Sequence, residues 1–480
     1  MEYEAVIGME VHVQLLTRSK MFCRCSADVF SAEPNSHVCP VCTGMPGSLP
    51  VINRQAVEFA IKTGLALNCQ VAESTFWERK SYFYPDLPKG YQISQYQLPL
   101  TRGGWLEIEV NGADKRIRIE RAHLEEDTGK LFHVDGASLV DYNRSGLPLL
   151  EVVTEPDIRS ADEAYAYLTK LRTILRYLDV SSGDMEKGAM RCEVNISLRP
   201  AGAGEFGTKT EIKNLNSFRS VRLALDYEIK RQAQQLDAGE RVLQQTMGWD
   251  EARGVTVVQR SKEQAHDYRY FPEPDLPPLL LSREWVEEIR AGLPELPDAK
   301  RSRFMAEYKL SRYDAGVLVS DRAVAEYYES CVAAGQKAGV SPKSVANWMT
   351  GELFRLMKAD AVEIGALKVN PGDLVGLIAL VEQGTITGSA GKEVFGVMFA
   401  TGRPPAEIVE ERGLKQISDA DKLAVVVDEV IAANPDVVAQ YLGGKETVIG
   451  FLIGQVMQAT RGKANPKLVG QLLRDKLIVK

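Results

Sequence analysis

Two close cysteine pairs, Cys23-Arg24-Cys25 and Cys39-Pro40-Val41-Cys42, hold four of the seven cysteines in one short stretch of the chain. A pair of thiolates on each of two turns is the spacing of a tetrahedral, four-thiolate zinc site. Four thiolates leave no open position for a water, so such a zinc braces a fold rather than performing chemistry. Just upstream lies Glu10-Val11-His12-Val13-Gln14. In a strand, side chains alternate, so Glu10, His12 and Gln14 share one face while Val11 and Val13 point to a core. That alternation is also what any strand with a solvated polar face shows, but it recurs. Arg191, Glu193, Asn195 and Ser197 share one face, and Lys209, Glu211 and Lys213 follow after a short loop. The two runs read as an antiparallel hairpin presenting carboxylates, an amide and ammonium groups to one side. Arg121 to Lys130 reads as a dense acidic turn containing Glu125, and Asp141 to Glu151 ends another strand in a carboxylate.

Carboxylate-rich strand faces mixed with lysine and arginine suit phosphoryl transfer. Oxygen ligands hold Mg²⁺, the metal bridges nucleotide phosphates, and the cations neutralise developing charge. A catalytic zinc is a poorer fit, because the chain has only five histidines. No Gly-x₄-Gly-Lys-Ser/Thr loop is present. Gly202-Ala203-Gly204-Glu205-Phe206-Gly207 matches GxGxxG formally but lies between two strands, so it reads as a hairpin loop rather than a dinucleotide turn. Any nucleotide is therefore expected on a sheet surface. The string Lys80 to Tyr96 carries Tyr82, Tyr84, Lys89 and Tyr91 among its prolines. It reads either as packing under a neighbouring strand or as a binding loop, with tyrosines stacking on bases and lysines meeting phosphates.

Strand patterns dominate up to about residue 270: Tyr3–Gln14, Gly104–Glu109, Arg116–Glu120, Leu147–Val153, Arg191–Leu198 and Thr208–Asn214. Helical patterns interrupt them at Arg54–Leu67, Ala161–Leu178 and Val221–Ala238. Six prolines between Pro272 and Pro297 predict an extended surface connection. Beyond it the pattern is helical, with Ser341-Pro342 capping a helix through about Lys358. A Gly- and Pro-rich break from Gly384 to Pro405 precedes a final helical unit. An α+β first domain (1–293) is thus expected to precede a helical domain (294–405) and a small helical tail (406–480). Hydrophobic content of 45% and charged content of 26% fit a globular protein. There is no basic-then-apolar leader and no long apolar run, and the remaining cysteines are scattered, so a reduced, cytoplasmic, membrane-free protein is expected.

The strings Glu10 to Leu15, Cys23 to Gly47, Tyr82 to Gln92 and His266 to Leu276 resemble the B-subunit family (GatB) of the aspartyl/glutamyl-tRNA amidotransferases, and the resemblance extends over essentially the whole chain. It implies a cradle domain with a mainly antiparallel sheet, related to glutamine synthetase, then a helical domain and a YqeY-like tail. It implies ATP-dependent phosphorylation of the carboxylate of Glu-tRNA(Gln), Asp-tRNA(Asn) or both, followed by attack of ammonia. It places Glu10, His12 and Glu125 around a catalytic Mg²⁺, with Glu151 and Glu193 next. Asn195, Lys209, Glu211, Lys213 and Asn216 are placed beside the phosphates or the acceptor end, and Cys23, Cys25, Cys39 and Cys42 on the structural zinc.

Nothing in the chain reads as an amidase or glutaminase centre, so ammonia must come from another chain. The resemblance names the partners as an amidase-type A subunit and a small C subunit. From Tyr441 to Lys480 there are seven basic residues against two acidic ones, in a chain of net charge -7. Such asymmetry suits phosphate contacts, with Lys445, Arg461, Lys463 and Lys467 as the candidates, although a solvated helix face has the same composition. Two other classes share some of these features. A zinc-stabilised RNA-binding module needs no acidic strand faces, and a ligase acting on a small metabolite needs no basic tail.

Overall fold

Strand β1 (Tyr3–Gln14) alternates as its sequence requires: Met9, Val11 and Val13 are buried while Glu10, His12 and Gln14 are half-buried on the opposite face. The computed structural model of the chain describes residues 2–261, 268–416, 420–460 and 464–478. The chain parts into two compact units, Met1–Pro297 and Asp298–Lys480.

In the first unit, β1 is followed by β2 (Gln70–Val71), β3 (Ser74–Thr75), β4 (Glu78–Ser81), β5 (Tyr91–Ser94), β6 (Thr101–Val110), β7 (Ala113–Glu126), β8 (Lys130–Val134) and β9 (Ala137–Asp141). Then come β10 (Pro148–Thr154), β11 (Met190–Pro200), β12 (Thr210–Leu215), β13 (Gln245–Asp250), β14 (Val255–Ser261), β15 (Phe271–Pro272) and β16 (Leu279–Leu280). Nine of them form one sheet in the order β14-β13-β12-β11-β1-β10-β7-β6-β2. All neighbours are antiparallel except β12 and β13.

Three helices cover the apolar side, each opened by a side chain that satisfies its first free amides. Asn53 caps α1 (Arg54–Ala66), Ser160 caps α2 (Ala161–Tyr177) and Ser217 caps α3 (Phe218–Asp237). Against them, α1 meets β7, α2 meets β6 and α3 meets β11. Helix α1 comes close enough to β6 that a Cβ on Gly64 would collide with the Thr101 side chain. The core of this unit includes Ile7, Val11, Val13, Leu150, Val194 and Leu171.

The α+β architecture expected from sequence holds, and so do the hairpin of β11 and β12 and the hairpin reading of Gly202–Gly207 between them. Three expectations are corrected. The acidic turn is strand as far as Glu126, and Glu125, Glu126 and Asp127 are all buried because each finds its own partner. The proline-rich connection contains β16 and a helix, α4 (Arg283–Ala291), capped by Ser282, with Ile289 buried in the core. The break between Gly384 and Pro405 contains a helix at Gly388–Thr401, capped by Thr387. Gly391 within it serves packing, since a Cβ there would lie 2.6 Å from Val381 Cγ2.

The second unit is helical among its described residues. Ser341 and Pro342 open a helix as predicted, continued by a π-helical turn (Met349–Leu353) and a further helix to Asp360. It holds two separate apolar cores, one around Phe304, Tyr328 and Phe395, the other around Leu423, Leu452 and Leu473.

A buried carboxylate ties α3 to the sheet. Glu228 accepts hydrogen bonds from Arg231 Nε (2.9 Å), Gln232 Nε2 (2.9 Å) and Thr256 Oγ1 on β14 (2.9 Å). Burial raises its pKa, but Arg231 and the other donors outweigh that and hold it below its ordinary 4.5. Replacing Glu228 with Ala strands three donors and is expected to destabilise the first unit by about 3 kcal/mol at neutral pH in urea unfolding. Because the folded-state value is depressed, this stabilisation is complete above the unfolded value of 4.5 and lost as pH falls through the folded one. The gap between wild type and Glu228→Ala is therefore expected to narrow below pH 4.5.

Candidate active site and cysteine cluster

The polar face of the sheet is built by register. His12 on β1 pairs with Glu151 on β10 and with Arg191 on β11, and Glu151 pairs in turn with His123 on β7. These four side chains form one row across four strands. Glu10 lies one step along, opposite Glu193, and Asn195 lies opposite Glu211 on β12. Above this face is a cavity of about 670 Å³ lined by Glu10, His12, Glu125, Glu151, Glu193, Lys209, Glu211, Lys213 and Tyr82.

His12 Nδ1 lies 3.0 Å from Glu125 Oε1, and His123 Nε2 lies 3.2 Å from Glu151 Oε2. One ligand atom each from His12, Glu125 and Glu151 falls within 4.8 Å of the others. The family resemblance puts Glu10 beside His12 and Glu125 with Glu151 next; here Glu151 is the one grouped with His12 and Glu125, and the Glu10 carboxylate accepts a 2.8 Å bond from Asn195 Nδ2. Two carboxylates and an imidazole fit a divalent cation. The carboxylates suit Mg²⁺, and the nitrogen is the least typical of its ligands. Lys213 Nζ is 2.7 Å from Glu193 and 3.8 Å from Glu211, which also accepts from Thr246 Oγ1 at 2.8 Å.

Burial lowers the His12 pKa, but the hydrogen bond to Glu125 and the charges of Glu151, Glu125 and Glu193 outweigh it and push it up to about 9. Burial likewise raises Glu151, yet His123, His12 and Lys80 hold it well below the ordinary carboxylate range.

Of the remaining predicted residues, Asn216 is exposed just beyond β12 and is not among the residues lining the cavity. Tyr82 lines the cavity and stacks on the exposed Tyr84 at 5.8 Å. Lys89 and Tyr91 are separated from them. The hairpin of β4 and β5 turns both toward a second cavity of about 190 Å³ beside Cys23 and Cys42. There Lys89 is 9% exposed and ion-pairs with Glu126, and the Arg79 guanidinium lies 4.1 Å from the Tyr91 ring centroid. Lys445 and Lys467 are exposed in the second unit, while Arg461, Lys463, His266 and Asp267 lie outside the described residues. The reading of the residues missed Asp127, which is buried between Arg191 (2.9 Å) and Gln14 (2.8 Å), and the tyrosines Tyr268 and Tyr270 that close one wall. The signals were present, since Asp127 ends the acidic run and both tyrosines flank the prolines, but only folding brings them to β1.

The Sγ atoms of Cys23, Cys25, Cys39 and Cys42 all lie within 4.8 Å of one another, and none is in a disulfide. Cys39 and Cys42 are 3.8 Å apart, as two ligands of a tetrahedral ion with bonds of about 2.3 Å must be. The Cys39 amide points at Cys42 Sγ (3.2 Å), and the buried Lys20 ammonium lies 3.7 Å from the same sulfur. The Cys23 hydrogen bond first, and against burial the Cys39 amide and Lys20, pull the Cys42 thiol down to about 4. This donor set fits zinc.

Family models match most of the chain: the GatB/GatE catalytic domain over residues 5–287 and the GatB domain over 326–477. The chain belongs to the GatB family. It is 58% identical to the B subunit of the aspartyl/glutamyl-tRNA(Asn/Gln) amidotransferase of Moorella thermoacetica, over 99% of this chain and 100% of that one. The corresponding B subunit from Carboxydothermus hydrogenoformans is 56% identical over 99% of both chains. The GatB chain described here is thus an amidotransferase subunit, in the class of carbon–nitrogen ligases. No helix among its described residues is long and apolar enough to cross a membrane.

The sulfur geometry makes a metal test direct. The purified protein is expected to carry one equivalent of zinc by plasma emission spectrometry. Cys42→Ala is expected to lose it and to unfold at lower temperature, whereas Cys331→Ala, at a buried cysteine outside the cluster, keeps its zinc.

Proposed function

We propose that this GatB chain uses ATP to phosphorylate the side-chain carboxylate of misacylated Glu-tRNA(Gln), Asp-tRNA(Asn) or both, and then directs ammonia onto the activated carbonyl. The observation that carries this reading is the row His123–Glu151–His12–Arg191 with Glu125, Glu193 and Lys213 around one large cavity. A carboxylate resists ammonia because its leaving group is oxide. In the first step a carboxylate oxygen bonds to the γ-phosphorus as the bond from that phosphorus to the bridging oxygen breaks, releasing ADP. In the second, the nitrogen lone pair forms the carbon–nitrogen bond, phosphate leaves with the acyl oxygen, and the nitrogen loses a proton.

His12, Glu125 and Glu151 would hold Mg²⁺, with Glu10 and Glu193 adjacent; bound there, the ion neutralises phosphate charge and aligns the transfer. Lys213, kept charged by Glu193 and Glu211, stands beside the phosphate side together with Lys209, Asn195 and Asn216. Tyr82 and Tyr84 offer stacking surface to the acceptor end. The zinc held by the four cysteines is structural. Ammonia is supplied by an amidase-type A subunit, with a small C subunit completing the assembly, and the whole works in the cytoplasm. The three-part division (1–293, 294–405, 406–480) gives the tail the task of holding the tRNA body through its basic residues, as the two separate apolar cores of the second unit allow.

Incubation of the chain with ATP, Mg²⁺, ammonium and either Glu-tRNA(Gln) or Asp-tRNA(Asn), repeated with free glutamate and free aspartate, tests this reading. Amide is expected on the tRNA only. Amide on a free amino acid, or no amide on either tRNA while RNA still binds, would overturn it. Glu151→Gln is expected to lower the rate on the order of 10²-fold, because it removes a charge opposite both His123 and His12.

A further inference from the structure

Six carboxylates, Glu10, Glu125, Asp127, Glu151, Glu193 and Glu211, line the large cavity. A carboxylate substrate and a nucleoside triphosphate bring still more negative charge into that space. Several of the cations already there are matched within the wall. His12 lies 3.0 Å from Glu125, His123 3.2 Å from Glu151, Arg191 2.9 Å from Asp127 and Lys213 2.7 Å from Glu193. Arg121 leans on Glu120 at 3.3 Å and on the Tyr96 ring.

Lys80 stands apart from these. It is carried by β4, a strand outside the main sheet, and lines the same cavity. Among the described residues its ammonium has neither hydrogen bond nor ion pair; its contact is with the Tyr268 ring, 4.8 Å to the centroid. Tyr268 is itself packed edge-on against Tyr82 and Tyr270. An aromatic face holds a cation in place without using its three N–H donors. Burial works against its charge, while Glu125, Tyr270 and Glu151 favour it and raise its pKa above the ordinary lysine value. Glu125 and Glu151 are two of the trio grouped around His12, so Lys80 looks onto that trio.

We propose that Lys80 is a catalytic residue that contacts the phosphoryl group as it passes from the nucleotide to the substrate carboxylate. The proposal rests on the phosphoryl-transfer reading of this cavity. The equatorial oxygens of the transferring group carry the charge in the transition state, and an ammonium with all donors available, held in a partly desolvated cavity, stabilises them without reorganisation. Lysine suits the task as a compact point charge, whereas the wider arginine fork must disturb the tyrosine packing.

The test uses the full chain assembled with its A and C subunits, comparing wild type with Lys80→Met and Lys80→Arg. Substrate-tRNA-dependent ADP release without ammonia reads the first step alone, and amide formed with ammonium reads both. Lys80→Met is expected to lower the rate of ADP release 10²-fold or more, with amide formation falling in parallel. Its tRNA affinity is expected to stay close to wild type. Lys80→Arg, which keeps the charge, is expected to retain part of the rate and controls for folding, as does an unchanged melting temperature. A Lys80→Met rate close to wild type, or a loss matched by equally weakened tRNA binding, overturns the proposal. A wild-type complex that releases no ADP with tRNA overturns the phosphoryl-transfer reading instead.

Discussion

Strand β1 lies between β10 and β11, and the register of those two antiparallel ladders is the constraint on which the rest depends. Because side chains alternate, one choice of register sends Met9, Val11 and Val13 into the helix-covered core and Glu10, His12 and Gln14 onto the opposite face. A slip by one residue would bury three polar groups and expose three apolar ones, so the core itself holds the polar row in alignment. The site is thus aligned by hydrophobic burial on the far side of the sheet. Helices α1, α2 and α3, which contribute no group to the cavity, are what make its geometry rigid.

A face this rich in carboxylates is tolerable only if its charges are compensated. Asp127 shows how: it is buried, and burial raises its pKa, yet Arg191, Arg144 and Gln14 together hold it below the ordinary value. Removing water from a charge costs several kcal/mol, and only close partners with good geometry offset that. The consecutive acids Glu125, Glu126 and Asp127 meet three different partners, His12, Lys89 and Arg191. The strand end is therefore fixed from several directions.

The cysteine cluster belongs to the same system. Lys20 joins Cys42 to the Tyr142 carbonyl (3.3 Å), just before the strand that carries Glu151. Cys42 also borders the small cavity in which Lys89 meets Glu126. The zinc-type turns thus support both the start of β10 and the end of β7, the two strands that bring Glu151 and Glu125 to His12.

Much of this was legible in the chain. Period-two alternation located β1, β11 and β12, helical periodicity located α1, α2 and α3, the Ser341-Pro342 cap located a helix of the second unit, and the paired cysteines announced a metal site, because each of these signals is local. Resemblance of long motifs to the GatB family supplied the function class. Errors arose where a long-range partner overrides local composition: the acidic run became buried strand, and the glycine-rich break became a packed helix. The sequence by itself determined which residues share a strand face. Only the tertiary structure decided that Glu151 falls within reach of both His12 and Glu125, that Lys89 and Tyr91 line the small cavity, and that Lys80 and Asp127 line the large one. Alternation along a strand is a property of neighbours in sequence, whereas strand order and register come from burying one common core, and no short segment contains that information.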